Sequence, residues 1–133
     1  MQCPLVRRWC EIRNLFEFAM KLMTINLEEG LPSIAQASSR LLGELQRARQ
    51  SGVAVLKLIH GYGSSGVGGD LRIALQAMLR QMASRGEIRT CIYGEHWRKS
   101  DAHAWELVKQ FPSLKADRDF GRQNRGITIV VLE

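Results

Sequence analysis

A glycine-rich segment in the middle of the chain has the residue types best suited to binding chemistry. Five of the nine residues from Gly61 to Gly69 are glycine, an apolar run precedes them and a helical pattern follows them. Backbone N–H groups in such a turn, together with the positive end of the helix dipole, suit a phosphate. Serine and arginine side chains add donors, and a tyrosine can stack on a base or sugar. The predicted phosphate-binding set is His60, Gly61, Tyr62, Gly63, Ser64, Ser65, Gly66 and Arg72.

Two nucleotide-binding motifs match this segment only in part. The spacing from Gly63 to Gly69 is close to that of a P-loop, but Gly69 replaces its lysine and Asp70 replaces its Ser or Thr. The glycines also give a GxGxxG spacing, yet the helix starts too late and no second mononucleotide-binding unit follows. The segment therefore predicts contact with phosphates and excludes both of these nucleotide sites.

Phosphodiester cleavage is a second chemistry that the residues allow. It needs a positioned general base, or a divalent metal held by carboxylates, and Glu28, Glu29 and His60 offer these groups. In this hypothesis the catalytic residues are His60 and Glu28. His60 takes a proton from the nucleophile or gives one to the leaving oxygen, and Glu28 orients His60. Arg72 neutralises the negative charge of the phosphate. No other metal site is predicted, because His96 and His103 do not share a helical face and no cysteine completes a set.

Periodicity predicts the elements that position these residues. Helical spacing with end signals indicates one helix capped by Ser33 with Gln36, one capped by Asp70, and a short one from Ser100 to about Gln110. Alternating or continuous apolar runs predict strands over residues 22–27, 53–59, 88–93 and 127–132.

The order of these elements predicts an α/β fold. We expect a two-layer sandwich of the βαβαββ type, with a mixed four-stranded sheet, helices mainly on one face, and an extra short helix between the last two strands. The carboxyl ends of the first three strands then share one edge, where such sheets usually bind ligands. Glu28, His60, Glu95 and His96 should lie on that edge.

Composition limits the class of protein and of partner. The 133 residues suit one domain, and no stretch approaches the ~20 apolar residues of a membrane span. Three cysteines without CxxC spacing and no signal-peptide pattern predict a cytoplasmic protein with no membrane partner. A net charge of +6 favours polyanions as partners.

Residues 1–22 are interpreted as an N-terminal extension, which a misassigned start codon would also explain. Residues 23–133 are interpreted as the domain.

A resemblance to a known family covers residues 23–133. The run from Val55 to Arg72, VLKLIHGYGSSGVGGDLR, resembles the motif of the Smr (small MutS-related) domain family: an apolar strand, His-Gly-x-Gly, small residues, and Leu-Arg at a helix start. Residues 25–30, INLEEG, and 126–132, GITIVVL, resemble its first and last strand motifs. The resemblance implies a domain that binds DNA or RNA, with some members acting as nicking or RNA-cleaving endonucleases.

The chain departs from that family at the first strand. Where the family has Leu-Asp-Leu-His, this chain has Asn26 and Glu28, so the carboxylate and the histidine linked to cleavage are both missing. The glycine segment and the connection before the last strand are also longer than usual. His60, Gly61 and Gly63 match the family pattern.

Three functions stay open at this point. The first is a nucleic-acid-binding domain, with DNA or RNA as partner, that contacts phosphates through the HGYGSSG segment. The second is a nicking or RNA-cleaving endonuclease that uses His60. The third is a protein-interaction domain, for which Trp97, Trp105 and Phe111 would supply a surface unless they form a local core.

Overall fold

Four strands form one mixed sheet in the computed structural model, which describes residues 22–30, 32–61 and 68–132. The strands are β1 (Leu22–Asn26), β2 (Val55–Ile59), β3 (Thr90–Tyr93) and β4 (Ile127–Val131), in the order β1-β2-β4-β3. β1 and β2 are parallel, and β4 is antiparallel to both β2 and β3. The first three strands therefore point the same way, and their carboxyl ends share one side of the sheet, which we call the carboxyl edge.

Helices connect these strands. They are α1 (Ile34–Gln50), α2 (Gly68–Ser84) and α3 (Ala102–Gln110), with 3-10 turns at Gly94–His96 and Pro112–Ala116. Ser33 and Gln36 form the predicted capping box. Two other predicted caps are wrong: α2 begins at Gly68, so Asp70 lies inside its first turn, and Asp101 rather than Ser100 accepts from the Ala104 N–H.

The two long helices cover one face of the sheet. Side chains at helical spacing on α1 and α2 pack against residues of β1, β2 and β4 that point to the same face. The buried members of this first core are Ile25, Leu27, Ala37, Leu41, Leu45, Ala48, Leu56, Leu58, Leu71, Leu75, Leu79, Met82, Ile88, Val130 and Leu132.

The connection between β3 and β4 covers the opposite face. Its side chains form a second core with alternate residues of the sheet, which explains why all five residues of β4 are buried. Trp97 and Phe111 belong to this core and are 0% and 7% exposed, so they do not supply the protein-interaction surface considered from the sequence. Trp105 is half-buried.

The predicted α/β fold, with a mixed four-stranded sheet and a helix between the last two strands, is confirmed. The strands are shorter than expected: β2 begins at Val55 rather than at residue 53, and β3 begins at Thr90 rather than at residue 88. Of the predicted N-terminal extension, only Leu22 lies within the described residues, and the division at residue 23 stays a prediction.

A buried lysine joins the second core to the sheet. The Lys57 side chain, 4% exposed, points from β2 into this core, where its ammonium pairs with the carboxylates of Asp117, at 2.9 Å, and Asp119. Asp117 also accepts a hydrogen bond from the Trp97 indole, at 3.0 Å, and Asp119 accepts one from Asn124, at 3.1 Å. These contacts attach the connection before β4 to the centre of the sheet.

This cluster shifts two pKa values in opposite directions. Burial disfavours both charged forms, but their mutual hydrogen bonds and charges outweigh it. The pKa of Lys57 is therefore raised above its ordinary value of 10.5, and the pKa of Asp119 is lowered below 3.8. Both side chains are charged at neutral pH.

We predict that Lys57→Met lowers the free energy of unfolding by about 3 kcal/mol, because it leaves two buried carboxylates without a countercharge. Urea unfolding at neutral pH, followed by circular dichroism, measures this loss. Lys109→Met, at an exposed site on α3, is the matched control. A similar, small effect of both substitutions would contradict a stabilising role for the cluster.

The stabilisation by Asp119 should depend on pH. Its lowered pKa means that its contribution is present above the unfolded value near 3.8 and is lost as the pH falls through the folded value. We expect Asp119→Asn to lower stability by about 1 to 2 kcal/mol at neutral pH and by progressively less below about pH 4. Paired urea titrations of both proteins across this range test it, and a difference independent of pH would be inconsistent with it.

Candidate functional site

The carboxyl edge collects the predicted site residues from separate elements. Glu28 follows β1, His60 and Gly61 follow β2, and Glu95 lies in the 3-10 turn that follows β3. Arg72 lies near the start of α2. The segment 62–67, which contains Tyr62, Gly63, Ser64, Ser65 and Gly66 of the predicted phosphate-binding set, lies outside the described residues.

The His60 side chain is buried beneath this edge and is 0% exposed. Its Nδ1 lies 2.6 Å from the Gly61 carbonyl oxygen, and its Nε2 lies 2.8 Å from the Thr128 hydroxyl. A carbonyl can only accept, so Nδ1 carries the proton and Nε2 accepts from Thr128. The Thr128 oxygen in turn accepts from the Gln76 amide, at 3.3 Å. The imidazole thus links β2, β4 and α2.

Burial lowers the pKa of His60 from its ordinary value of 6.5. The nearby positive charge of Arg72 acts in the same direction, while the bond to Gly61 and the charges of Glu28 and Glu95 oppose it. A neutral imidazole with both nitrogens bonded inside the protein is suited to holding the start of the loop. The catalytic roles assigned to His60 and Glu28 stay predictions.

Gly61 has a backbone conformation that favours glycine, and it lies close to the side chain of Glu28. Its φ of +74° lies in the left-handed region, and a Cβ there would lie 2.9 Å from Oε1 of Glu28. Its N–H and that of His60 both donate to the Gly126 carbonyl, at 3.1 and 2.9 Å. Gly126, the residue before β4, therefore fixes the backbone of His60 and Gly61, and Gly61 lies beside the exposed carboxylate of Glu28.

Asn26 has a structural role that the sequence analysis did not identify. Its side-chain oxygen accepts from the N–H groups of Glu28 and Glu29, at 2.9 and 3.1 Å, and so holds the turn after β1. Arg40 on α1 donates to the carbonyls of Asn26 and Glu29 on the same turn. Asparagine immediately after an apolar strand is a common signal for this kind of turn and would have been sufficient to predict it.

Glu95 lies between two arginines on this edge. Its Oε2 is 3.9 Å from Nη1 of Arg72 and 4.0 Å from Nε of Arg125. Arg72 and Glu95 are each 26% exposed, whereas Arg125 is 69% exposed. These distances exceed hydrogen-bond length, so Glu95 attracts each arginine through charge without a direct hydrogen bond.

The backbone beneath Glu95 is closely packed. A Cβ at Gly94 would lie 1.7 Å from the Asn124 carbonyl oxygen, so only glycine fits this contact. Asn124 itself bonds to Asp119, at 3.1 Å. The buried lysine cluster therefore supports, through Asn124, the turn that carries Glu95 to the edge.

Within the described ranges, no group of three or more His, Cys, Asp or Glu side chains is placed to hold a metal ion. His96 and His103 instead line an open cavity of about 330 Å³ beside β3, together with Arg80, Cys91, Tyr93 and Asp101. In the same ranges, no helix is long and apolar enough to cross a membrane.

The comparisons with known proteins identify the fold. No family model matches the chain, and no curated protein matches it in sequence. Among solved structures, it is similar to the crystal structure of the Smr domain of Thermus thermophilus MutS2, with 22% sequence identity and a TM-score of 0.52. The match covers 84% of this chain and 98% of that one. This likeness shows that the chain has the Smr fold, as expected from the motifs around His60.

The hydrogen bonds of His60 give a testable protonation state. We expect the neutral Nδ1–H tautomer at neutral pH and a titration midpoint below 6.5, because the buried imidazole accepts at Nε2 and resists charging. Since the unfolded chain binds this proton near the ordinary value, stability should fall as the pH drops from about 6.5 through the folded pKa. Long-range proton–nitrogen NMR correlations measure the tautomer and the titration midpoint, and the His60→Gln variant assigns the signals of His60. An Nε2–H tautomer, or a midpoint at or above the ordinary value, would rule this arrangement out.

Proposed function

We propose that this chain is a nucleic-acid-binding domain that holds backbone phosphates at its carboxyl edge. The contacts would come from the glycine-rich segment that begins at Gly61 and from Arg72, while the buried His60 would orient the start of that segment. The observation that carries the proposal is the position of Arg72: it is partly exposed at the start of α2, on the same edge where the glycine segment leaves β2. A guanidinium beside main-chain N–H groups is an arrangement that proteins use repeatedly for phosphates.

Charge and hydrogen-bonding capacity support this assignment. The Nε of Arg72 is buried and has no hydrogen-bond partner among the described residues, and the same holds for Nε of Arg98. Both Nε atoms are buried, so a ligand would meet Arg72 at the part of its side chain that is exposed, which is 26% of it. Arg125 adds an exposed cation next to Arg72, and the whole chain carries +6. A polyanion with regularly spaced phosphates satisfies these groups better than a single small anion does.

The endonuclease alternative rests on a different observation. The Glu28 carboxylate is exposed and lies against Gly61, so it would face a phosphate bound on the glycine segment. His60, by contrast, makes its two hydrogen bonds inside the protein and is better placed to orient the loop than to transfer a proton. A binding function needs no rearrangement of this histidine, and for that reason we favour it over cleavage.

The protein-interaction alternative has less support. It relied on aromatic side chains of the connection before β4, and Trp97 and Phe111 are part of the second core. The basic edge, in contrast, has side chains that no described partner saturates. We therefore propose DNA or RNA as the partner.

We expect the full chain to bind labelled single-stranded or duplex DNA or RNA with an affinity that falls as salt rises, by a slope of a few units in log–log form. Arg72→Ala should weaken binding about 5- to 30-fold and reduce the slope by about 1, because it removes one phosphate contact. Fluorescence anisotropy across a salt series measures both quantities. Arg47→Ala, which removes the same charge from an exposed site at the far end of α1, should leave affinity within about 2-fold.

Failure to bind any of the four nucleic acids at low salt would refute the proposed function. Equal losses for Arg72→Ala and Arg47→Ala would refute the assignment of the site. Incubation of the same oligonucleotides with magnesium, manganese or chelator addresses cleavage: products that disappear with Glu28→Gln, while binding persists, would favour the endonuclease alternative.

A further inference from the structure

Glu95 occupies a place that is unusual for a carboxylate. It lies between the guanidiniums of Arg72 and Arg125, on the edge where the proposed function puts a phosphate. Its Oε2 is 3.9 and 4.0 Å from the nearest nitrogens, and its Oε1 is buried without a hydrogen-bond partner in the described part of the chain. A structural ion pair usually shows shorter and direct hydrogen bonds.

Glu95 and Arg72 each have a buried polar atom without a hydrogen-bond partner among the described residues. A buried carboxylate oxygen without a donor is unfavourable, and the unpartnered Nε of Arg72 is a donor without an acceptor. Arg72 and Glu95 therefore attract each other through charge without satisfying each other. A phosphate oxygen that approached the exposed part of the Arg72 guanidinium would do so close to the negative charge of Glu95.

The backbone keeps Glu95 in this position. A Cβ at Gly94 would lie 1.7 Å from the Asn124 carbonyl oxygen, so this turn packs directly on the residue that donates to Asp119 of the lysine cluster. With the backbone in this position, the Glu95 charge and the arginines separate by rotation of their side chains. An incoming phosphate must therefore displace the carboxylate or bind against its repulsion.

We propose that Glu95 is an internal competitor for phosphate at the Arg72 and Arg125 pair, and that it sets the affinity of this edge for nucleic acid below the value that the arginines alone would give. This inference rests on the proposed function. It assigns Glu95 a role as an affinity-determining residue, one that holds the two cations in place in the free protein and yields to the ligand.

Glu95→Gln tests the proposal, because it keeps the shape of the side chain and removes its charge. We expect binding about 4- to 16-fold tighter, the range for unit charges about 5 Å apart at effective dielectric constants of about 80 to 40. The gain should shrink as salt rises, since screening weakens the repulsion that has been removed. The measurement is anisotropy of the full chain with fluorescein-labelled DNA and RNA 20-mers, single-stranded and duplex, across a salt series.

Glu106→Gln is the matched control. Glu106 is an exposed residue of α3, and it lines a cavity with Thr90 and Val131 at the opposite end of the strands. Its loss changes the net charge equally, so it should alter affinity by less than about 2-fold. Thermal melts verify that each variant folds, and Glu95→Ala replaces Glu95→Gln if the latter does not.

Each outcome decides the proposal. Tighter binding by the Glu95 variant alone, with a gain that decreases in salt, supports it. Binding equal to that of Glu106→Gln, or weaker than wild type, overturns it, and in the weaker case Glu95 serves only to position the arginines. If the wild-type chain binds no nucleic acid, the proposed function itself fails. If the wild-type chain binds but the Glu95 variant binds no more tightly, only the role of Glu95 is refuted.

Discussion

A lysine in the middle of a central strand must have negative charge beside it, because an unpaired ammonium in a protein core is strongly unfavourable. Lys57 meets this requirement with Asp117 and Asp119, which lie 60 and 62 positions further along the chain. The pairing attaches the connection before β4 to the second face of the sheet. It also fixes Asn124, whose carbonyl lies against Gly94 and so supports the turn that carries Glu95. The geometry of the carboxyl edge therefore depends on an ion pair at the centre of the sheet.

The start of the glycine segment is held from the other side of the same sheet. Gly126 accepts the N–H groups of His60 and Gly61, and Thr128 bonds to the His60 ring. These contacts give the His-Gly pair a structural explanation: the histidine orients the Gly61 carbonyl, and the glycine adopts a backbone conformation that other residues rarely adopt. The main-chain N–H groups of His60 and Gly61 are thus used inside the protein, where they fix the point at which β2 ends.

Charges of both signs meet at this edge. Glu95 lies near both Arg72 and Arg125, and Glu28 lies beside Gly61 on the same edge. The two proposals made for this edge concern different residues, since the first assigns binding to Arg72 and the second assigns the level of affinity to Glu95.

Much of the fold was predictable from local pattern. Strand and helix periodicity, the Ser33 capping box and the motif around His60 were sufficient for the sheet, its helices and the Smr fold, because these features depend on neighbours a few residues apart. The burial of His60 and the pairing of Lys57 could not be predicted, since they join residues more than 50 positions apart. Nor could the place of Glu95 between two arginines, which depends on a close contact at Gly94. Sequence alone determined the elements and the edge on which the candidate residues meet. Only the tertiary structure decided which of those side chains are exposed to a ligand and which are used inside the protein, because burial and partner choice depend on how distant segments pack.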